Sequence, residues 1–382
     1  MVDNINIISL HYMDCDTVLI PGVLIPGVFV ATLGYMYISS FRGDIWGMKL
    51  FLYIWGIRCG YSVSIYDSDT MDSKTLRSVL SNEEKGLFFE HGISARAWLP
   101  LFSLESDDGP RWVRMKRVLM RVLRGLDHKT IPDLVGKYTT NINSCEDVSQ
   151  IVTQVMFEFV FDRPIPHEHI PLFHSASMEW RKEIGMKGFG DVNIKKEFVE
   201  IIERYIPTHY FEMTDDRMEV VSAFAQPFFL SPMINVSDIL VGISNLYDVG
   251  DHPTVPIQQM VRHTLIHYPP FPMLERRTGE KSQTFIFLFP STDTCKLCGV
   301  SNPEISPEMF GYGARKCVGI SIANSLIENI VCNITVQNLE FHPEIGNAYS
   351  GRSNDSVNTL ESNLFLARTM CRVLWNGCAA VH

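Results

Sequence analysis

A loop built around one cysteine is the feature that most limits what this chain can fold into. It runs from Phe310 to Gly319 with the sequence Phe-Gly-Tyr-Gly-Ala-Arg-Lys-Cys-Val-Gly, and an apolar helix is predicted directly after it at residues 320–334. Cys317 therefore precedes a helix N-terminus and follows two cationic residues, of which Arg315 is the first. Because a helix dipole and a neighbouring cation both stabilise negative sulfur, this pattern predicts that Cys317 is a thiolate.

The loop resembles the haem-binding loop of the cytochrome P450 family, which reads Phe-x-x-Gly-x-Arg-x-Cys-x-Gly. All five fixed positions match, and they are Phe310, Gly313, Arg315, Cys317 and Gly319. A random chain of this length would match all five on the order of once in ten thousand times. The resemblance implies haem b, with the Cys317 thiolate as axial iron ligand and catalytic group and the other four residues around the cofactor. The alternative is an ordinary cysteine in a glycine-rich turn.

Three further residues match positions that bind the haem propionates in the family. Trp112 and Lys116 are four residues apart, so they share one face of the helix predicted at residues 111–124, and lysine replaces the usual arginine. Arg276 follows a proline-rich turn at residues 269–272, where the family often has another propionate-binding arginine. The alternative for the first pair is a solvated basic helix.

Two motifs of the family are altered in this chain. In the helix predicted to end at Tyr268, His263 and Ile266 replace the charged residues of the family's Glu-x-x-Arg motif, so its buried ion pair cannot form. In the oxygen-activating helix, Ser244 and Asn245 replace the usual acid and threonine. We expect these two residues to take the catalytic positions and to order water, although neither supplies an ionisable proton.

The order of predicted elements indicates a mostly α fold with a small β region. Helices are predicted at residues 72–80, 111–124, 148–160, 195–205, 236–247 and 320–334, a β-hairpin at residues 48–66, and further strands at residues 284–289 and 357–375. The absence of repeats and linkers in the sequence favours a single domain over residues 1–382. The resemblance implies a P450-like fold that is shortened between the oxygen-activating helix and the haem loop.

The activity that the resemblance implies is monooxygenation of a lipophilic small molecule. Electrons would come from a redox partner of the ferredoxin or flavin reductase type. Short segments at residues 157–163 and 289–294 look closest to the mitochondrial-type sterol hydroxylases of animals, which suggests a sterol-like substrate. The altered motifs leave open a second interpretation, in which a P450-like protein binds haem or another ligand without turnover.

Composition and charge limit the location and the partners of the chain. A formal net charge of −10 excludes nucleic acid as the expected partner, because phosphate binding needs a basic surface. Nine cysteines without regular spacing favour a reducing, intracellular location. Residues 18–39 are apolar and contain two Pro-Gly pairs, so they are expected either to contact a membrane or to form a hinge.

Overall fold

The structure is a computed structural model, and it describes residues 45–67, 71–82, 84–139, 145–184, 188–246, 256–267, 273–287 and 310–334. The helices of eight or more residues are α1 (Ile45–Cys59), α2 (Ser73–Leu80), α3 (Gly109–Gly125), α4 (Ile131–Tyr138), α5 (Cys145–Phe161), α6 (Ile170–Ile184), α7 (Val192–Tyr205), α8 (Arg217–Ala225), α9 (Ser231–Leu246), α10 (Ile257–His267) and α11 (Ile320–Ile334). The strands are β1 (Ser62–Asp67), β2 (Met273–Gly279) and β3 (Ser282–Phe287). The predicted fold class, mostly α with a small β region, is confirmed.

The three strands form one sheet in the order β1-β3-β2. β1 runs parallel to β3, whereas β2 and β3 form an antiparallel pair in which Arg276 lies opposite Thr284. Phe285 of the central strand is fully buried and packs edge-on against Trp55 and Phe88. The sheet thus has its own apolar cluster, and β2 holds Arg276 at a fixed position.

Residues 48–66 do not form the predicted hairpin, because the first part of this segment is helix α1. Leu52, Trp55 and Cys59 are buried at spacings of three and four residues, which is the period of a helix. Leu50, which shares a face with Leu52 in a strand, is 46% exposed. Apolar residues are so frequent here that an alternating and a helical pattern both fit the sequence. Only the second predicted strand is present, as β1.

A long helical run passes through the helical core. It begins with α8 at Arg217, passes into α9 through a π-helical turn at Gln226–Leu230, and contains the apolar stretch Arg217–Leu240. Among the described residues it is long and apolar enough to cross a membrane, but 78% of its apolar window is buried inside the protein. Its composition is therefore explained by packing in the core. α9 also begins earlier than the helix predicted at residues 236–247.

The other predicted helices within the described residues are confirmed, with boundaries that differ by a few residues. The helix predicted at residues 72–80 is α2, and the Asp72 carboxylate caps it by accepting from the backbone N–H groups of Lys74 and Thr75. The strand predicted at residues 284–289 is β3. Residues 18–39 and 357–375 lie outside the described residues, and the single domain remains a prediction.

Candidate functional site

A cavity of about 300 Å³ lies where the helical core meets the cysteine loop and the sheet. Its apolar wall combines Leu119 of α3, Met156 of α5, Ile239 of α9, Leu265 of α10 and Leu326 of α11. Small-molecule sites in proteins start at about this volume and are mostly apolar with a few polar groups. The cavity is therefore the candidate site, and its chemistry depends on the polar groups that reach it.

The backbone of the cysteine loop turns back sharply before Cys317. The Cys317 N–H donates to the Phe310 carbonyl oxygen at 2.7 Å, which closes the loop at its base. Gly311 and Gly313 have φ angles of +77° and +63°, a region that other residues rarely adopt. A Cβ atom on Gly311 would also lie 2.9 Å from the Arg315 carbonyl oxygen. Gly311, which the family pattern leaves free, is thus needed for this turn.

Cys317 faces the cavity, but its sulfur is not activated as predicted. Cys317 is an exposed residue of the cavity lining, although protein atoms surround most of its sulfur. Burial raises the pKa of the Cys317 thiol, the charge of Glu105 raises it further, and only a hydrogen bond from the Gly319 N–H lowers it. The protein alone therefore does not lower the pKa of this thiol, and the Cys317 thiolate stays a prediction for the metal-bound site. A coordinated metal ion would deprotonate the thiol itself.

Trp112, Lys116 and Arg315 lie together on the cavity wall. The indole of Trp112 is contacted by both cations, with the Arg315 guanidinium carbon 3.8 Å and the Lys116 ammonium nitrogen 4.7 Å from a ring centroid. The Lys116 ammonium also donates to the carbonyl oxygen of Ala314. The predicted i, i+4 pair is thus brought to the cysteine loop, and it contacts the loop directly.

Arg276 reaches the same cavity from β2 and is 2% exposed. Its Nη1 donates to the Glu275 carbonyl oxygen at 2.7 Å, whereas its buried Nε has no hydrogen-bond partner among the described residues. Burial lowers the pKa of Arg276, and the charges of Glu90, Asp108 and Glu275 counter this in part. An unpaired buried donor of a cation is costly. Arg276 therefore fits an anionic group of a bound molecule.

A buried polar cluster at the cavity was not found from the sequence. The Lys85 ammonium nitrogen lies 3.0 Å from one Glu90 oxygen, and the Ser106 hydroxyl donates to the other at 2.8 Å. Burial, and next the charge of Glu90, raise the pKa of Glu105 to about 7. These residues lie in irregular segments or, for Glu90, in a single π-helical turn, so no periodic pattern in the sequence marks them. They supply the cavity with further ionisable groups.

The residues of the two altered motifs are located only by their backbone. Ser244 and Asn245 lie in the last turns of α9, and His263 and Ile266 lie in α10, but their side chains are outside the described residues. Their predicted roles remain predictions. At the start of α9, the polar residues Ser231 and Asn235 line the cavity at a spacing of four. Ser231 and Asn235 were not predicted as site residues, although their spacing is helical.

Phe310 and Gly319 also line the cavity, so seven of the eight predicted haem-binding residues, all except Gly313, meet there. The donor set fits haem: a cysteine sulfur can ligate iron, the unpaired Nε of Arg276 can bind a carboxylate, and the apolar wall can cover a macrocycle. Gly313 contributes to the turn instead, and a Cβ atom there would lie 3.7 Å from the Cα of Ser81. Among the described residues, no group of three or more His, Cys, Asp or Glu side chains is placed to hold a metal ion.

No protein-family model and no curated protein matches the chain. Among solved structures, open cytochrome P450 Eryk from S. erythraea is 13% identical, with a TM-score of 0.46 over 69% of this chain and 80% of that chain. A cytochrome P450 from Thermus thermophilus is 12% identical, with a TM-score of 0.43 over 69% and 82%. Ligand-free CYP164A2 of Mycobacterium smegmatis is 13% identical, with a TM-score of 0.49 over 81% and 92%. All three of these similar structures are bacterial cytochrome P450s.

Proposed function

We propose that this chain is a P450-like haem-thiolate protein in which Cys317 is the axial ligand of the iron. The observation that carries the proposal is the meeting of Cys317, Trp112, Lys116 and Arg276 at one cavity, although they come from three distant parts of the chain. An ordinary cysteine in a glycine-rich turn does not account for that meeting. The loop pattern and the cavity are independent observations, and both support the same cofactor.

The residues around the cavity would divide the binding of haem among them. Arg276 would hold a carboxylate of the cofactor with the donor that is unpaired in the described protein. Trp112 and Lys116 would close the cavity on the side of α3, and the apolar residues of α9 and α11 would exclude water from the macrocycle. Bound haem would supply the activation of molecular oxygen for insertion of one oxygen atom into a substrate.

The substrate class that suits this cavity is a lipophilic small molecule. Beyond the polar groups described above, the cavity is surrounded by aliphatic and aromatic side chains such as Phe228, Val236 and Ile322. Apolar walls of this kind bind by excluding water and give little discrimination among hydrocarbon shapes. A sterol-like substrate, as the short sequence segments suggest, is included in this proposal.

An external redox partner with an acidic surface is the expected source of electrons. Arg117, Arg121 and Arg124 are exposed on α3, the same helix that supplies Trp112 to the cavity. Complementary charge steers two proteins together and fixes their orientation. An acidic ferredoxin or flavin reductase that docks on this face would be close to the helix that lines the candidate site.

The absorption spectrum of the purified full-length protein, reduced with dithionite and exposed to carbon monoxide, tests the proposal. We expect a red-shifted Soret band of the thiolate type that is lost in Cys317→Ala. The matched control is Cys332→Ala, which removes an exposed cysteine of α11 that does not line the cavity. No haem signal, or one that is unchanged in Cys317→Ala, would contradict the proposal.

A second candidate function follows from the altered motifs. With Ser244 and Asn245 in place of an acid and an alcohol, the chain lacks the usual proton donor of oxygen activation, and it would bind haem or a ligand without turnover. Product formation with a competent reductase and a lipophilic substrate distinguishes the two. A thiolate spectrum together with no product would favour the second function.

A further inference from the structure

The side chain of Arg315 is directed toward the residues that precede α3. Its Nη1 donates to the Asp107 carbonyl oxygen at 2.9 Å, and its Nη2 donates to one carboxylate oxygen of Asp108. The flat guanidinium group stacks on Trp112, and the side chain is 4% exposed. The arginine of the cysteine loop therefore binds a carboxylate of the protein itself.

Asp108 is held in place by further donors. Its second carboxylate oxygen accepts from the Lys85 backbone N–H and lies 2.8 Å from the His91 Nε2. Burial alone would raise the pKa of Asp108, but the hydrogen bonds from His91 and Lys85 and the charge of Arg315 together lower it. Asp108 thus carries its charge at neutral pH. A carboxylate of a ligand would compete for Arg315 with a protein carboxylate that is already held by several donors.

This ion pair acts directly on the cysteine loop, because Arg315 is two residues before Cys317. Lys116 of α3 makes a second contact with the loop at the Ala314 carbonyl oxygen. The first turns of α3 and the residues before it thus hold two consecutive residues of the loop. A side chain that is fixed by several hydrogen bonds restricts the directions that its neighbours can adopt.

We propose that Asp108 and Arg315 form an anchor that fixes the cysteine loop on the N-terminus of α3, and that carboxylates of a bound cofactor are left to Arg276. Asp108 is in this view a positioning residue: it acts on the orientation of Cys317 through Arg315. The first half of the proposal concerns the protein without a cofactor. The second half rests on the proposed function.

Hydrogen exchange of the full-length protein without added haem tests the anchor, with Asp108→Asn as the variant. The matched control is Asp107→Asn, since Asp107 offers Arg315 only its backbone carbonyl and its own carboxylate pairs with the exposed Arg111. Hydrogen bonds to charged groups of this kind correspond to about a ten- to hundredfold change in an opening equilibrium. In Asp108→Asn, we expect residues 310–319 to exchange faster than in the wild type by a factor of that order. In the control, their exchange rate should be unchanged.

If Asp108→Asn does not fold, as judged by circular dichroism, Arg315→Lys gives the same test. Lysine keeps the charge but lacks the planar fork of donors with which Arg315 reaches the Asp107 carbonyl and the Asp108 carboxylate. Loop exchange that is unchanged in these variants would overturn the anchor. Loosened loops in a protein that binds no haem would support the anchor while contradicting the proposed function.

Haem titration separates the anchor from a direct role of Arg315 in binding the cofactor. Under our proposal, Asp108→Asn weakens haem binding about tenfold or more, because the loop is no longer held in a binding conformation. If Arg315 instead binds a cofactor carboxylate, Asp108 competes with that carboxylate, and its removal would strengthen haem binding. Stronger binding in Asp108→Asn than in Asp107→Asn would therefore overturn the second half of the proposal.

Discussion

The two glycines with positive φ in the cysteine loop are required for different reasons. Gly311 has no room for a side chain, because the Arg315 carbonyl oxygen would lie 2.9 Å from its Cβ atom, closer than real Cβ atoms approach. Gly313 has space, since the nearest atom is 3.7 Å away, so only its φ of +63° disfavours other residues. The family pattern fixes Gly313 and not Gly311. At the scale of the residue, packing adds a constraint that the motif does not contain.

Gly311→Ala should therefore destabilise the protein more than Gly313→Ala. A non-glycine residue at positive φ costs about 1–2 kcal/mol, which is the expected loss for Gly313→Ala. Gly311→Ala adds a steric clash with backbone and should cost about 1 kcal/mol more. Urea denaturation of the protein without added haem measures both. Equal losses, or a larger loss at Gly313, would contradict the geometry of this turn.

Sequence patterns predicted the elements where one period was unambiguous. α11 has the predicted boundaries because buried Ile322, Leu326 and Ile330 repeat at helical spacing after a loop with glycines. α1 was missed because apolar residues cover its exposed face as well, so that its pattern also fits a strand. The residues of the site were likewise predictable only where the pattern is local. Cys317 is predictable from local spacing, whereas the pairing of Arg315 with Asp108 joins residues far apart in the chain.

Alanine substitutions within α1 distinguish the helix from the predicted hairpin. Leu52 is fully buried and Leu50 is 46% exposed, although both would lie on one face of a strand. In the helix, Leu52→Ala should lower the free energy of unfolding by about 2–4 kcal/mol, and Leu50→Ala by no more than about 0.5 kcal/mol. The measurement is chemical denaturation of both variants. Similar losses at the two positions would indicate a strand.

The whole molecule holds a buried cation with an unpaired donor, Arg276 Nε, where its parts meet. Arg276 stands on the sheet, yet it lies at a cavity that is otherwise built by the helical core and the cysteine loop. The other arginine at the cavity, Arg315 of the cysteine loop, has its charge matched by Asp108. Keeping a guanidinium group buried with an unpaired donor destabilises the fold, and proteins accept such a cost mainly at sites of function. Stability and ligand binding should therefore respond to Arg276 in opposite directions.

Arg276→Met tests this opposition, because methionine fills a similar space without a charge. Without haem, the variant should be more stable than the wild type by about 1 kcal/mol or more, since replacing buried charge by apolar side chains is often stabilising. Its haem affinity should fall about tenfold or more, through loss of a charged hydrogen bond. Thermal denaturation with and without haem measures both effects, because a ligand that binds only the folded state raises the melting temperature.

Arg277→Met is the matched control. Arg277 pairs with Glu84 at 2.6 Å, and its side chain is 31% exposed. Its loss should change the free energy of unfolding by no more than about 1 kcal/mol and leave haem binding unchanged. A less stable Arg276→Met protein that still binds haem as the wild type does would mean that Arg276 is a structural residue of the sheet, and that the carboxylates of the cofactor are held elsewhere.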